Sequence, residues 1–175
     1  FGAFQGCTAL KKIDFPKAKE IGQSAFEGCT ALTDVHLPAL ENFTGMESFK
    51  NCTSLETISL PELSAFDTGT FEGCTSLVTV ESPKATTIGE RCFKGCSNLA
   101  QFDFESLTMI AAEAFMGTAF TDVSVPLTCN VRSNAFSSCP SLRRLSVPVT
   151  GTLNIKDLPV AEDLIFYASA DGDLN

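Results

Sequence analysis

The chain has no tryptophan, one tyrosine and one histidine, and 12 Lys and Arg stand against 21 Asp and Glu. Each shortage excludes something. A net charge of −9 with no basic stripe argues against a nucleic-acid scaffold. The same charge is unfavourable at an anionic membrane surface, and solubility is its plainest consequence. With His36 as the lone histidine, nucleophile–base pairs fail for want of parts. There is no C-x-x-C pair and no cluster of ligands around His36, so zinc is not expected. No apolar run approaches the roughly 18–20 residues of a membrane span, and no signal peptide opens the chain. Disorder is excluded from the other side, because 44% of the residues are hydrophobic and recur in columns.

What the chain has in abundance is repetition. Phe26-Glu-Gly-Cys29-Thr-Ala-Leu32-Thr-Asp-Val35-His-Leu37-Pro38 is written again from Phe49 and from Phe71, and the same frame begins at Phe4, Phe93, Phe115 and Phe136. The spacings between these phenylalanines are 22, 23, 22, 22, 22 and 21 residues. A fixed period in the twenties is the mark of a solenoid, in which each coil touches only its neighbours. Because the chain opens in mid-repeat on Phe1-Gly-Ala-Phe4, we expect a piece of a longer array.

Eight cysteines suggest a disulfide framework, but six of them, Cys7, Cys29, Cys52, Cys74, Cys96 and Cys139, hold one repeat position, with Thr118 in that slot in the sixth coil. Stacked about 5 Å apart and pointing the same way, they have poor bridging geometry and are expected as buried free thiols. Cys92 and Cys129 lie outside this column and are the remaining candidates for a bridge or a reactive thiol.

Each repeat reads Phe-x-x-Cys-x-x-Leu-x-x-Ile-x-Leu-Pro, and the alternating Leu-x-x-Ile-x-Leu predicts a short strand stopped by proline. The expected strands are 11–15, 33–37, 56–60, 78–82, 100–104, 121–125 and 143–147. An apolar anchor follows (Ile21, Phe43, Phe66, Ile88, Ile110, Val131), and then Gly/Ser-x-x-Ala-Phe turns the coil through a single helical or 3₁₀ turn. The Phe column is expected as an aromatic spine under the convex side. Two irregularities are readable: the second coil carries an extra residue between Phe43 and Phe49, and the sixth loses one near Thr118-Ala-Phe120. Beyond Pro148 a degenerate terminal coil over 151–175 is expected, with Leu153, Leu158, Ala161, Leu164 and Tyr167 in the repeat slots.

On Leu32-x-x-Val35-x-Leu37-Pro38 and Ile21-Gly22-x-x-Ala25-Phe26, the frame resembles the BspA-like (Treponema pallidum-type) leucine-rich repeats over residues 1–150. The resemblance implies an α/β, right-handed solenoid of about 7–8 coils forming a single unit over 1–175. It further implies parallel strands on a concave face and turns on a convex one. It also implies a cell-surface or extracellular module that binds proteins, host extracellular proteins among them, or mediates adhesion.

If the alternating apolar residues face the core, the residues between them face out of the sheet. These make the candidate binding face: Asp34, His36, Glu56, Thr57, Ser59, Thr79, Glu81, Gln101, Asp103, Asp122 and Arg144. The face is acidic in the middle and basic at both ends. Glu81 and Asp103 are expected on adjacent strands about 5 Å apart, a spacing seen in retaining glycosidases and calcium sites. An open sheet of Ser and Thr makes no glycosidase pocket, and calcium needs more oxygen ligands, so neither an enzyme nor a cofactor is expected. Asn42-Phe-Thr44 and Asn51-Cys-Thr53 match the glycosylation sequon, with Asn51 the weaker because Cys52 is a column residue. The expected protein is a monomer or associates weakly end to end. A structural spacer and an intracellular scaffold remain as alternatives to the surface module.

Overall fold

The computed structural model describes residues 1–132, 134–149 and 163–168. It is a parallel β-solenoid of about six turns and about 22 residues per coil, with the leucine-rich-repeat fold. The first coil carries β1 (Lys12–Asp14) and β2 (Glu20–Gly22), and the second β3 (Asp34–His36) and β4 (Asn42–Thr44). The third carries β5 (Thr57–Ser59) and β6 (Ala65–Phe66), and the fourth β7 (Thr79–Glu81) and β8 (Thr87–Ile88). The fifth has β9 (Met109–Ile110), the sixth β10 (Asp122–Ser124) and β11 (Asn130–Val131), followed by β12 (Arg144–Val149) and β13 (Asp163–Ala168).

The first strands stack in register in three separate runs, as Lys12↔Asp34, Thr57↔Thr79 and Asp122↔Arg144 show. β1, β3, β5, β7 and β10 are the expected strands, less a residue at each end. The fifth departs from expectation: 100–104 forms no strand, and only the bridge Thr79↔Gln101 marks its place. There Phe102 stands where other coils carry Ile13, Ile58, Val80 or Val123, and Glu105 replaces the proline. Asp103 then turns the chain locally by accepting the Glu105 N–H at 2.9 Å. The apolar anchors are themselves strands of a second parallel ladder, Ile21↔Phe43 and Phe66↔Ile88↔Ile110↔Val131. At two or three residues they are too short for a period-2 pattern to register in the sequence.

No helical or 3₁₀ turn closes the coil among the described residues, which corrects the expectation for the convex side. The reason is backbone handedness. The residue two before each column Phe has positive φ: Gly2, Ser24, Glu47, Gly69, Arg91, Glu113 and Asn134. The residue two after it does as well: Gly6, Gly28, Asn51, Gly73, Gly95, Gly117 and Ser138. A left-handed residue on either side of Phe breaks any right-handed run. What remains are paired tight turns, such as Ala25 N–H to Gly22 C=O at 3.2 Å and Cys29 N–H to Phe26 C=O at 3.1 Å.

These turns stack. The N–H groups of Phe4, Phe26, Phe49, Phe71, Phe93 and Phe115 each donate to the next coil at 2.8 Å. Their rings form one face-to-face column from Phe4 to Phe136, with centroids 5.1 to 5.6 Å apart and planes within 17°. From Phe49 to Phe115 the rings are fully buried, so the spine is the core of the array.

The cysteine column runs beside it. The Sγ–H groups of Cys29, Cys52, Cys74, Cys96 and Cys139 donate to the Phe carbonyl of an earlier coil at 3.1 to 3.3 Å. Each such carbonyl also accepts a backbone N–H of its own coil, so a small weak donor completes it. Thr118 fills the slot by donating to its own Phe115 carbonyl at 2.9 Å. All eight thiols are free and only Cys7 is exposed. Cys92 sits in the small slot just before Phe, with Ala25, Ser48, Thr70, Ala114 and Ala135, and Cys129 is buried ahead of β11. Both outliers are core residues.

The two length irregularities mark where the ladders part. The first-ladder offset is 22 residues at Lys12↔Asp34, Thr57↔Thr79, Thr79↔Gln101 and Asp122↔Arg144, and each of these steps pairs. It is 23 between β3 and β5 and 21 between Gln101 and Asp122, and there the sheet divides. The extra residue is absorbed at Gly45, whose φ is 148° and whose added Cβ would lie 2.6 Å from Gln23 Cβ, so only glycine fits. The Phe turns hold their bonds through both irregular coils, which leaves the mismatch to appear on the opposite side.

At the far end β12 runs on through Pro148, which pairs with Tyr167, and so does not stop at its proline. Leu164 pairs with Leu145, three residues out of the frame expected for the terminal coil. Leu153, Leu158 and Ala161 lie outside the described residues.

Candidate functional site

The outward positions of the first ladder form the concave face. Asp34, His36, Glu56, Thr57, Ser59, Glu81, Gln101, Asp103, Asp122 and Arg144 are exposed and Thr79 is half-buried. Their register follows from the ladder, with Asp14↔His36 and Ser59↔Glu81 in one column and Asp122↔Arg144 in the next.

Charge is handled differently on this face than elsewhere. Of the seven ion pairs among the described residues, six lie off it. Lys50 lies 2.6 Å from Glu47 and 3.4 Å from Glu72, and Lys94 lies 2.7 Å from Glu113, all beside the convex turns. The strand-to-strand loops add Lys19–Glu41 at 2.7 Å and Lys84–Glu62 at 2.6 Å. The seventh, Arg144–Asp122 at 3.8 Å, lies on the concave face. Among the described residues the carboxylates of Asp14, Glu56 and Glu81 have no side-chain partner, and Asp34 accepts from the Thr33 hydroxyl at 2.9 Å.

Two clefts open on this face, one at each break in the ladder. The first, about 710 Å³, spans the gap between β3 and β5 and is lined by Lys12, Asp14, Thr33, Asp34, Val35, His36, Thr57, Ile58, Ser59, Thr79 and Glu81. Val35 is half-buried, whereas its column mates Ile13, Ile58 and Val80 are 3 to 4% exposed, so the gap uncovers part of the core. The second, about 430 Å³, lies at the interrupted fifth coil and is lined by Thr79, Val80, Ala100, Gln101, Phe102, Asp103, Phe104, Phe120 and Asp122. Its floor is aromatic, with Phe102, Phe104 and Phe120 in ring contact at 5.3 and 5.5 Å.

Asp34, His36, Thr57, Ser59, Thr79 and Glu81 thus gather in the first cleft, and Thr79, Gln101, Asp103 and Asp122 in the second. Glu56 and Arg144 line neither. Glu81 lines the first cleft and Asp103 the second, although their coils are neighbours joined by the Thr79↔Gln101 bridge. The apolar floor residues Val35, Ile58, Phe102, Phe104 and Phe120 were readable only as core. Of these Val35 and Phe102 are half-buried, while Ile58, Phe104 and Phe120 stay buried behind them.

Six of the buried thiols are held in the neutral form. Burial pushes Cys129 up to about 11, and burial followed by the neighbouring Cys52 thiol does the same for Cys29. Burial also raises Cys92, Cys96 and Cys139. In Cys52 the hydrogen bond with the Cys74 thiol comes first and burial second. A thiolate is the nucleophile, and each of these shifts disfavours it.

The family model for the BspA-type leucine-rich repeat region matches residues 1–84 and 19–143 in six copies. Among solved structures, a leucine-rich cell surface protein from Faecalibacterium prausnitzii A2-165 is 31% identical, with 83% of this chain and 35% of that one covered and a TM-score of 0.53. A T. pallidum leucine-rich repeat protein is 28% identical over 80% of this chain and 68% of that one, with a TM-score of 0.66. A leucine-rich repeat protein from Bacteroides ovatus ATCC 8483, 22% identical over 95% of this chain and 54% of that one, shares the fold at a TM-score of 0.63. The chain therefore spans about a third of the first of these proteins and about half of the last. No curated protein matches it. With its Phe spine, its cysteine column and six matched copies of the repeat, the chain belongs to the BspA-type leucine-rich-repeat family.

Proposed function

We propose that this chain is a non-catalytic protein-binding module of a cell-surface or secreted protein, and that the concave face is its contact surface. The observation that carries the reading is the contrast in charge pairing. Six of the seven ion pairs among the described residues lie on the convex turns and side loops, while on the concave face Asp14, Glu56 and Glu81 have no side-chain partner among the described residues, beside two open clefts. Unpaired charge on a broad, rigid, curved sheet supports partner selection and fast encounter rather than stability. The surface location is supported by the cell-surface description of the F. prausnitzii protein.

Charge reversal at Glu81 and Asp103 tests the reading. Binding of host extracellular proteins, measured on a sensor surface, is expected to fall in the double variant with the melting temperature nearly unchanged. Reversal at Glu62 in the side loop is expected to leave binding intact. Retention of binding by the concave variant contradicts the reading.

The free thiols favour a second reading, an intracellular scaffold, since reduced cysteines persist in a reducing compartment. Thiol counting on protein from its native host separates the two, because disulfides there rule the scaffold out.

A further inference from the structure

The clefts are placed by the repeat itself. One lies at the 23-residue step and the other at the 21-residue step, so they sit three coil steps apart along the solenoid axis. At the spacing of parallel strands that is about 14 Å, which an extended peptide spans in about four residues.

Their chemistry differs. The first holds Asp14, Asp34 and Glu81 against the single Lys12, above a floor of Val35 and Ile58. Asp14 and Asp34, on the neighbouring strands β1 and β3, suit a guanidinium or ammonium carried on an apolar stem, and Glu81 stands on the far wall. The second offers the half-buried Phe102 ring, backed by the buried Phe104 and Phe120, with Asp103 and Asp122 at its rim, where Asp122 already faces Arg144. That suits an apolar or aromatic side chain.

We propose that the two clefts together take one extended basic segment of a partner protein: an Arg or Lys enters the first cleft, and an aromatic side chain about four residues away enters the second. This rests on the concave-face reading above and names its partner chemistry. Charge complementarity selects the occupant: the chain carries −9 overall, and the first cleft is acidic. An acidic or purely apolar segment leaves those carboxylates without a partner, at a desolvation cost.

The test uses a fluorescently labelled Ser/Thr-rich peptide carrying Arg and Phe at that spacing in either order, titrated into the whole chain and followed by anisotropy. Saturable binding is expected in at least one order, weakened about tenfold when the peptide Arg becomes Glu or its Phe becomes Ala. Asp34→Asn with Glu81→Gln is expected to remove the preference for Arg over Glu but keep that for Phe over Ala. Ala100→Gln, an exposed change at the second cleft, is expected to do the reverse. Glu62→Gln, in the side loop, is expected to change neither.

No saturable binding, or binding indifferent to the spacing of Arg and Phe, overturns the proposal. If the peptide fails while protein capture is still lost on reversal of Glu81 and Asp103, the partner chemistry is wrong and the concave reading stands. If capture also survives that reversal, the concave reading falls with it.

Discussion

The convex turns and the concave strands are written by the same repeat, yet they respond oppositely to a change in its length. On the convex side every step from Phe4 to Phe136 keeps its backbone bond at 2.8 Å, its stacked ring and its left-handed pair of residues, through coils of 21, 22 and 23 residues alike. On the concave side the ladder closes only where the step is 22 residues and opens at the other two. The buried spine fixes the register because moving a ring out of a dry stack costs more than losing a few exposed strand bonds. Irregularity is therefore expressed on the face that solvent and partners reach.

The largest effect is expected from breaking the convex half. Phe71 is fully buried between Phe49 and Phe93, with centroids 5.4 and 5.6 Å away. Phe71→Ala is expected to cost about 3–5 kcal/mol in denaturant unfolding, on the scale of buried aromatic truncations. The joint between the halves comes next. Gly45→Ala places a Cβ against Gln23 in a backbone conformation that alanine resists, with an expected loss of about 1–3 kcal/mol by the same measurement.

The thiols sharpen the comparison without mutation. In the native chain only Cys7 is expected to react promptly with a thiol reagent near neutral pH, with the other seven following on denaturation. The sign of their pH dependence follows from the raised values. Stability contributed by holding Cys29 and Cys129 neutral is complete below the ordinary thiol value of 9.0 and falls as the pH climbs from there toward about 11. A pH series of unfolding midpoints checks it. The smallest stability effect is expected on the concave face, where Glu56→Lys with Glu81→Lys should shift the unfolding free energy by no more than about 0.5 kcal/mol. A large shift there would mean that the face is structural after all.

Much of this was legible in the sequence. Leu32-x-x-Val35-x-Leu37-Pro38 states a strand, its buried face and its end in one phrase, and its copies set the stacking register. The Phe and Cys columns announced a core because they never vary in phase. The convex conformation was hidden because Glu47, Arg91 and Glu113 occupy left-handed positions that residue type does not betray. The second ladder was hidden by its brevity, and the missing fifth strand by Phe102 and Phe104, which read as acceptable apolar residues in the pattern. The extra residue near Gly45 could be counted in the sequence. Its consequence, a cleft between β3 and β5 on the far side of the coil, follows only once the spine is known to hold its register.

Amide exchange at two equivalent positions tests that account most directly. Leu60 N–H donates to the Glu81 carbonyl at 2.8 Å, and Phe15 N–H to that of His36 at 3.1 Å, whereas Leu37, in the same slot at the first break, has no backbone acceptor. Leu37 is expected to exchange at least about tenfold faster than Leu60, and deletion of Gly45, which restores a 22-residue coil, to bring the two together. Equal protection of Leu37 and Leu60 in the unaltered chain would contradict the claim that coil length opens the concave ladder.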